Sequence, residues 1–345
     1  RREVGGCIMA KETLTEAIAV AKAPEDTVAK KSSSFVAWIA DKGIFVFTAI
    51  LILASMTFVD GFASLQNVTD LFHRAAPIGI VALGMTFVVI TGNYLDLSVV
   101  AQAAAAGVIL IAVSNAYNLI TAFIVAFIVA IIFGLVNGIA VGYFKANAVI
   151  VTLSTTYIGL GLLRLLSGGS QVFGPFDGPI ATFGTSKLGP FPYSAVVLVV
   201  VTLILTFVLS KTNFGFMVRS FGVNERSTRL AGTNTGVIVI GAFLVTSMAA
   251  MIGGFVLAAF SNTAVSNMAT GYDFQALAAI IVGGTSVFGG KGSVPRTLLG
   301  VVFVSILSNV LVLSQISYGW QQIAIGSLIV FAVTVDALGR RVGKK

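Results

Sequence analysis

Residues able to do acid–base, nucleophilic or metal chemistry are few in this chain, and they avoid the apolar stretches that make up most of it. His73 is the only histidine and Cys7 the only cysteine, so neither a His/Cys metal centre nor an internal disulfide can be assembled. The acidic residues fall almost entirely in polar segments, with Asp96 at the junction of two apolar runs and Asp336 near the end of the last. Proton-coupled transport or intramembrane catalysis would need ionisable groups well inside the apolar runs, and both lose support. Sodium coupling can use carbonyls and hydroxyls, so it stays open. Around Gly283–Ser293 the chain reads GGTSVFGGKGS, which looks at first like a phosphate loop. That loop requires G-x-x-x-x-G-K-[ST]; here Thr285 stands for the first glycine and Gly292 for the Ser/Thr, and no strand precedes it. Nucleotide binding is not expected there. No cofactor is expected, and no catalytic residue.

Three polar segments look purposeful. Lys211–Thr235 reads KTNFGFMVRSFGVNERSTRLAGTNT. Asn224 suits a helix N-cap, Glu225 the first turn, Arg229 a later turn and Gly232 a C-terminal stop, which predicts a short helix displaying Leu230 and Ala231 beside Arg226 and Arg229. On composition alone a solvated basic loop is the simpler reading. Gly271–Val294 is a short apolar run followed by paired glycines, Gly283–Gly284 and Gly289–Gly290, which permit tight turns and positive φ. It is either a re-entrant, gating element or a helix that ends in a tight turn. Thr91–Ser98, TGNYLDLS, interrupts two apolar runs, and Asp96 either caps the following helix or lines a pathway. His73 reads as an interfacial residue. Asn137, inside an apolar run, is either interhelical glue or pathway lining.

The elements that must position these residues are membrane spans. The chain is 57% hydrophobic and 10% charged over 345 residues, against about 25% charged in soluble domains. Lipid is therefore the solvent for much of it. Runs of the length a span needs, about 17–25 residues, fall at Gly43–Val59, Ala75–Thr91, Ser98–Val113, Leu119–Val141, Ala148–Leu166, Tyr193–Ser210, Gly236–Phe260, Phe274–Phe288, Val294–Leu313 and Trp320–Leu338, of which Ser98–Val113 and Phe274–Phe288 are short. The expected fold is all-α: a polytopic bundle of about ten transmembrane helices with both termini cytoplasmic. The positive-inside rule supports that count, because only Arg74, Arg164 and Lys187 of the 21 basic residues then lie outside. The net charge of +8 thus has a topological cause, and no nucleic acid is expected as a partner. Residues 1–42 read as a cytoplasmic tail with no signal peptide, helical around Lys11–Ala23, and Met9 as a start position preceded by an upstream remnant. Residues 43–338 form the transmembrane domain and residues 339–345 a second cytoplasmic tail.

At these same segments the sequence resembles the ribose-type sugar permease subunits of bacterial ABC importers. The motifs are GMTFVVITG (Gly84–Gly92) leading to DLSV (Asp96–Val99), GLVNGIAVG (Gly134–Gly142), VTLST (Val151–Thr155), KTNFG…GVNERSTRLAG, GYDFQALAAIIVGGTSVFGGKGSV, and WQQ at Trp320–Gln322. Members commonly read TGGIDLS where this chain has TGNYLDLS. The resemblance implies a multi-pass protein of the bacterial inner membrane, in a homo- or heterodimeric core with a second permease subunit. ABC ATPase subunits would hydrolyse ATP on its cytoplasmic face, and a periplasmic substrate-binding protein would deliver a sugar or sugar-like solute. It implies that Lys211–Thr235 is the coupling element, with Asn224, Glu225, Arg226, Arg229, Leu230, Ala231 and Gly232 at the ATPase. Since a sugar offers hydroxyls rather than charge, Gln102, Asn137, Thr152 and Thr155 join Asp96 as candidate path residues. A stand-alone secondary transporter or channel for a small polar solute is the alternative.

Overall fold

A computed structural model of the chain describes residues 43–92 and 94–342, the side chains of 338–342 excepted. The expected N-terminal tail and most of the C-terminal one lie outside the described residues. Packing divides the chain into two units, Ile44–Thr334 and residues 1–43 with 335–345. The bundle below is the first; of the second, the structure describes Gly43 and the helical residues 335–342.

The helices are α1 (Gly43–Phe58), α2 (Leu65–Ile90), α3 (Val99–Ala116), α4 (Leu119–Gly142), α5 (Ala148–Ser167), α6 (Pro179–Thr185), α7 (Tyr193–Lys211), α8 (Asn213–Val223), α9 (Glu225–Leu230), α10 (Thr235–Ser261), α11 (Tyr272–Val282), α12 (Val294–Leu313) and α13 (Tyr318–Val342). Among the described residues, 8 helices are long and apolar enough to cross a membrane, and α1 and α11 are shorter apolar helices. The all-α, multi-pass expectation holds. Each of the ten expected spans corresponds to one helix.

Two expectations are corrected. The span expected at Phe274–Phe288 is only the 11 residues of α11. At about 1.5 Å per residue it covers about 16 Å, roughly half a hydrocarbon core of about 30 Å. Gly283 and Gly284 end it, and the following residues Thr285 and Ser286 are irregular yet buried. Buried non-helical backbone is stable only where protein or water satisfies its polar groups. The span expected from Ala75 instead begins at Leu65, because the Ser64 hydroxyl accepts the Asn67 N–H at 3.2 Å. Asn67 and Asn309 then exchange amide hydrogen bonds of 3.1 and 2.8 Å. His73 is buried within α2, with Nδ1 3.1 Å from the Ser194 hydroxyl and its ring stacked on Phe260.

Helices α2, α3 and α10 form the interior, while α4, α5 and α13 leave most of their surface outward. Small residues set the spacing. A Cβ at Gly84 of α2 would stand 2.3 Å from the Ala249 Cβ of α10, and one at Gly254 of α10 would stand 2.2 Å from the Ala103 carbonyl oxygen of α3. Along α4, Gly134, Gly138 and Gly142 face Leu244, Ile240 and Gly236 of α10 in the same way. Small residues four apart let backbones touch where lipid supplies no hydrophobic squeeze. Asparagine caps start several helices: Asn118 before α4, Asn147 before α5 and Asn234 before α10 each accept N–H groups of the first turn.

Loop contacts sort the connections into two ends. At one, the basic end, Lys145 reaches Glu225, and Gly92 meets Gly289. At the opposite end, strands β1 (Val172–Phe173) and β4 (Thr263–Ala264) pair antiparallel, and β2 (Lys187–Leu188) and β3 (Phe191–Pro192) form a hairpin. Arg164 Nε donates to the Ser266 hydroxyl there at 3.4 Å.

If close approach holds the interior together, Gly254→Ala should lower the midpoint of thermal unfolding in detergent, by a destabilisation of about 1–3 kcal/mol typical of overpacking. Gly161→Ala in α5, where a Cβ meets nothing within 4 Å, should leave the midpoint unchanged.

Candidate functional site

The 211–235 segment folds into two helices at the basic end. Helix α8 begins where the Thr212 hydroxyl accepts the Gly215 N–H at 3.2 Å, and it buries Gly215, Val218 and Phe221. Asn224 then caps α9, its Oδ1 accepting the Ser227 N–H at 2.9 Å. Glu225 in the first turn binds Arg229 one turn on and Lys145 from the α4–α5 connection, both at 2.7 Å. The Lys145 bond, burial notwithstanding, and then the Arg229 bond hold the Glu225 carboxyl below the ordinary glutamate range. That pairing is complete at neutral pH and is lost as pH falls through the lowered value. Thr228 is the buried residue of α9, and Gly232 leaves the helix with φ +83°.

This scaffold presents an apolar side chain to solvent: Leu230 is 82% exposed, and Arg226, Arg229 and Ala231 are exposed around it. Burying a leucine is worth about 1.5–3 kcal/mol, and nothing in the described residues collects that gain. Lys145 was missed from sequence. It lies eighty residues before Glu225 in the chain, and it holds a left-handed backbone (φ +54°) that a lysine adopts only where surroundings enforce it. Its ammonium also lies 6.0 Å from the centre of the Phe221 ring.

The glycine-rich segment lies directly against α8. Gly284, Gly289 and Gly290 have φ of +84°, +87° and +76°, values that favour glycine. Gly283 does not; its backbone is ordinary, and it is glycine because a Cβ would come 2.5 Å from the Arg296 carbonyl oxygen of α12. The Gly290 N–H donates to the Ile90 carbonyl at 2.8 Å, tying this segment to the end of α2. Gly92 and Gly222, also missed from sequence, complete the contact.

The polar residues within the bundle meet one another. Asp96 is fully buried; its Oδ1 accepts the Ser98 N–H at 3.0 Å and also the Ser98 hydroxyl. The Ser98 oxygen in turn accepts from Gln102 Nε2 at 2.6 Å and from Asn137 Nδ2 at 2.8 Å. Thr155 donates to Asn137 Oδ1 at 2.9 Å. The Thr152 hydroxyl donates to the Ala148 carbonyl of its own helix at 2.8 Å. Asp96, Gln102, Asn137 and Thr152 are buried and Thr155 half-buried. One hydrogen-bonded chain thus runs from the 91–98 segment through α3 and α4 to α5, with Ser98 at its node. Asp96 secures the entry to α3, and Asn137 joins α4 to both neighbours.

A profile of the family described as branched-chain amino acid transport system / permease component matches residues 67–333. Three similar proteins show the range of relatives. The probable ABC transporter permease protein YphD of Escherichia coli is 35% identical over 86% of this chain and 89% of its own. The L-arabinose transport system permease protein AraH of Escherichia coli is 32% identical over 85% and 89%. The ribose import permease protein RbsC of Haemophilus influenzae is 28% identical over 83% and 90%. No solved structure matches. The resemblance read from the motifs is borne out.

Ser98→Ala removes the node and leaves Asp96, Gln102 and Asn137 short of a partner inside the bundle. It should destabilise the folded protein by about 1–3 kcal/mol, read as a lower thermal midpoint in detergent. Thr202→Val, which deletes a buried hydroxyl bonded only to the Leu198 carbonyl of its own helix, should change the midpoint little.

Proposed function

The chain belongs to the permease-component family matched above, and on that premise we propose that it lines the translocation path of an ATP-driven importer for a sugar or sugar-like solute. It is a multi-pass membrane permease subunit, a transport component rather than an enzyme. The choice of a sugar is supported by the relatives named for ribose and arabinose. It is also supported by the scarcity of charge in the apolar runs, since a sugar asks for hydroxyls and amides rather than ion pairs.

In this reading the basic end is cytoplasmic, both termini lie on that side, and the membrane is the bacterial inner membrane. The 1–42 tail, the 43–338 membrane domain and the 339–345 tail keep the bounds expected from sequence. ATPase subunits dock on α9, and a periplasmic binding protein delivers solute at the opposite end, to a core of two permease subunits. The observation that carries the reading is α9 itself: a capped, ion-paired helix that holds Leu230 in solvent beside two arginines. An apolar knob with a basic rim fits a groove on a soluble partner better than it fits a free loop. ATP-driven closure of that partner favours one of two states of the path, and coupling requires that the partner's affinity differ between them.

The buried chain from Asp96 to Asn137 braces the helices beside the path, and half-buried Thr155 is the member placed to reach it. The elements that open and close are the short helix α11 and the loop of Gly283, Gly284, Gly289 and Gly290.

The test is reconstitution of the chain with an ATPase subunit and a binding protein, with ATP hydrolysis and uptake of labelled sugar or amino acid as readouts. Leu230→Asp with Arg229→Glu removes an apolar contact worth about 1.5–3 kcal/mol, so ATPase association and stimulated hydrolysis should fall by at least about tenfold. Arg229→Glu also breaks the Glu225 pair that pins α9, so Leu230→Asp alone, which keeps that pair, should lower association in the same direction with folded yield unchanged. Uptake down a gradient by the chain alone, with no response to any ATPase, would contradict the reading and favour the stand-alone transporter.

A further inference from the structure

We propose that Gly92, Gly222, Gly289 and Gly290 form a joint without slack, through which a displacement of α8 and α9 passes to the end of α2 and to the half-length helix α11. The proposal rests on the importer reading above and assigns Gly92 and Gly222 as positioning residues for transport.

The joint is built from backbone. Gly222 is in the last turn of α8; a Cβ there would fall 1.9 Å from the Ile90 carbonyl oxygen of α2 and 2.5 Å from the Gly290 nitrogen. A Cβ at Gly289 would fall 2.6 Å from the Gly92 Cα and 2.9 Å from the Gly222 carbonyl oxygen. One at Gly92 would fall 3.0 Å from the Phe288 carbonyl oxygen. The Gly290 N–H closes the set on the Ile90 carbonyl at 2.8 Å. Three separate segments therefore touch main chain to main chain. An interface of long side chains can absorb a small shift by changing rotamers, whereas main-chain atoms already in contact have no such freedom and must move together.

The joint leads somewhere. From Gly289 the chain runs back through Gly284 to α11, whose end is pressed on α12: a Cβ at Gly283 would meet the Arg296 carbonyl oxygen at 2.5 Å, and one at Gly300 the Ala279 carbonyl oxygen at 1.9 Å. The other end of α11 starts at Gly271 with φ +85°, a conformation that lets the chain turn there. Between the two, α11 buries Tyr272 and Ala276–Ile281 and leaves Phe274 exposed. A short helix with a tight joint at one end and a glycine turn at the other is suited to tilt when the joint is pushed. Small displacements become discrete rearrangements because packed elements deform in steps.

The test compares wild type, Gly222→Ala and Gly319→Ala in vesicles with the ATPase and the binding protein; Gly319 has no neighbour within 4 Å of a Cβ. Gly222→Ala should assemble with the ATPase and hydrolyse ATP as wild type does, while solute moved per ATP falls by at least about fivefold. Gly319→Ala should match wild type. A ratio unchanged in Gly222→Ala, or hydrolysis and uptake falling in step, overturns the joint while leaving the importer reading intact. That reading fails separately, in the wild type, if no ATPase couples to it.

A second measurement does not depend on Gly222→Ala folding. In a Cys7→Ser background, Val223→Cys and Lys291→Cys, both exposed, are bridged by a short reducible crosslinker. Segments that move as one body should transport normally when bridged. Transport lost on bridging and regained on reduction overturns the proposal.

Discussion

Lipid tails are as apolar as leucine, so helices in a bilayer gain little by hiding side chains from their surroundings and must hold together by direct contact. This chain meets that constraint by bringing backbones together. Gly84 against Ala249, Gly254 against Ala103, and Gly134, Gly138 and Gly142 along α10 each occupy places where a Cβ would collide with a neighbour. The interior of α2, α3 and α10 exists because these positions carry almost no side chain. Buried polarity follows from the same closeness: Ser98 can serve Asp96, Gln102 and Asn137 at once because α3 and α4 lie so near each other.

The same device reaches the functional end in a different form. Between α2 and α10 the glycines sit on regular helices and make a rigid stack. At the basic end they sit in loops and at a helix terminus, so the contact joins α8, the end of α2 and the 283–292 segment. Rigid packing inside the bundle and tight packing between its connections have different consequences. The first keeps the frame fixed, and the second ties three connections to one another. Helix α9 stands outside both, pinned by Asn224, Lys145 and Arg229 while Leu230 points away.

Local features were legible from sequence because their causes are local. The apolar runs located the long apolar helices among the described residues, and Asn224, Glu225, Arg229 and Gly232 predicted the bounds of α9 from capping and charge alone. The pairs Gly283–Gly284 and Gly289–Gly290 announced left-handed turns, which all but Gly283 adopt. What stayed hidden depends on partners distant in the chain. The Ser64 cap that starts α2 ten residues before Ala75 was local and was passed over, whereas nothing near it says that Asn67 will find Asn309. The paired glycines already offered a stop after Val282, but the apolar Val287 and Phe288 beyond them carried the expected span past it. Lys145 looked like one more inside charge, and its ion pair with Glu225 appears only once the α4–α5 connection and α9 share an end. Asp96 and Asn137 were each given two readings; their contacts agree with a residue holding the start of α3 and with a bond between helices, and what the sequence did not show is that Ser98 joins the two.

The account stands or falls on α9 being the surface that meets the energy-supplying partner. Hydrogen–deuterium exchange over 211–235 in the reconstituted permease, with and without its ATPase subunit, measures this directly. Protection on ATPase binding should centre on Glu225–Gly232 and extend to Gly289 and Gly290 across the joint. Unchanged exchange at α9, with ATPase-dependent protection elsewhere on the chain, would contradict it.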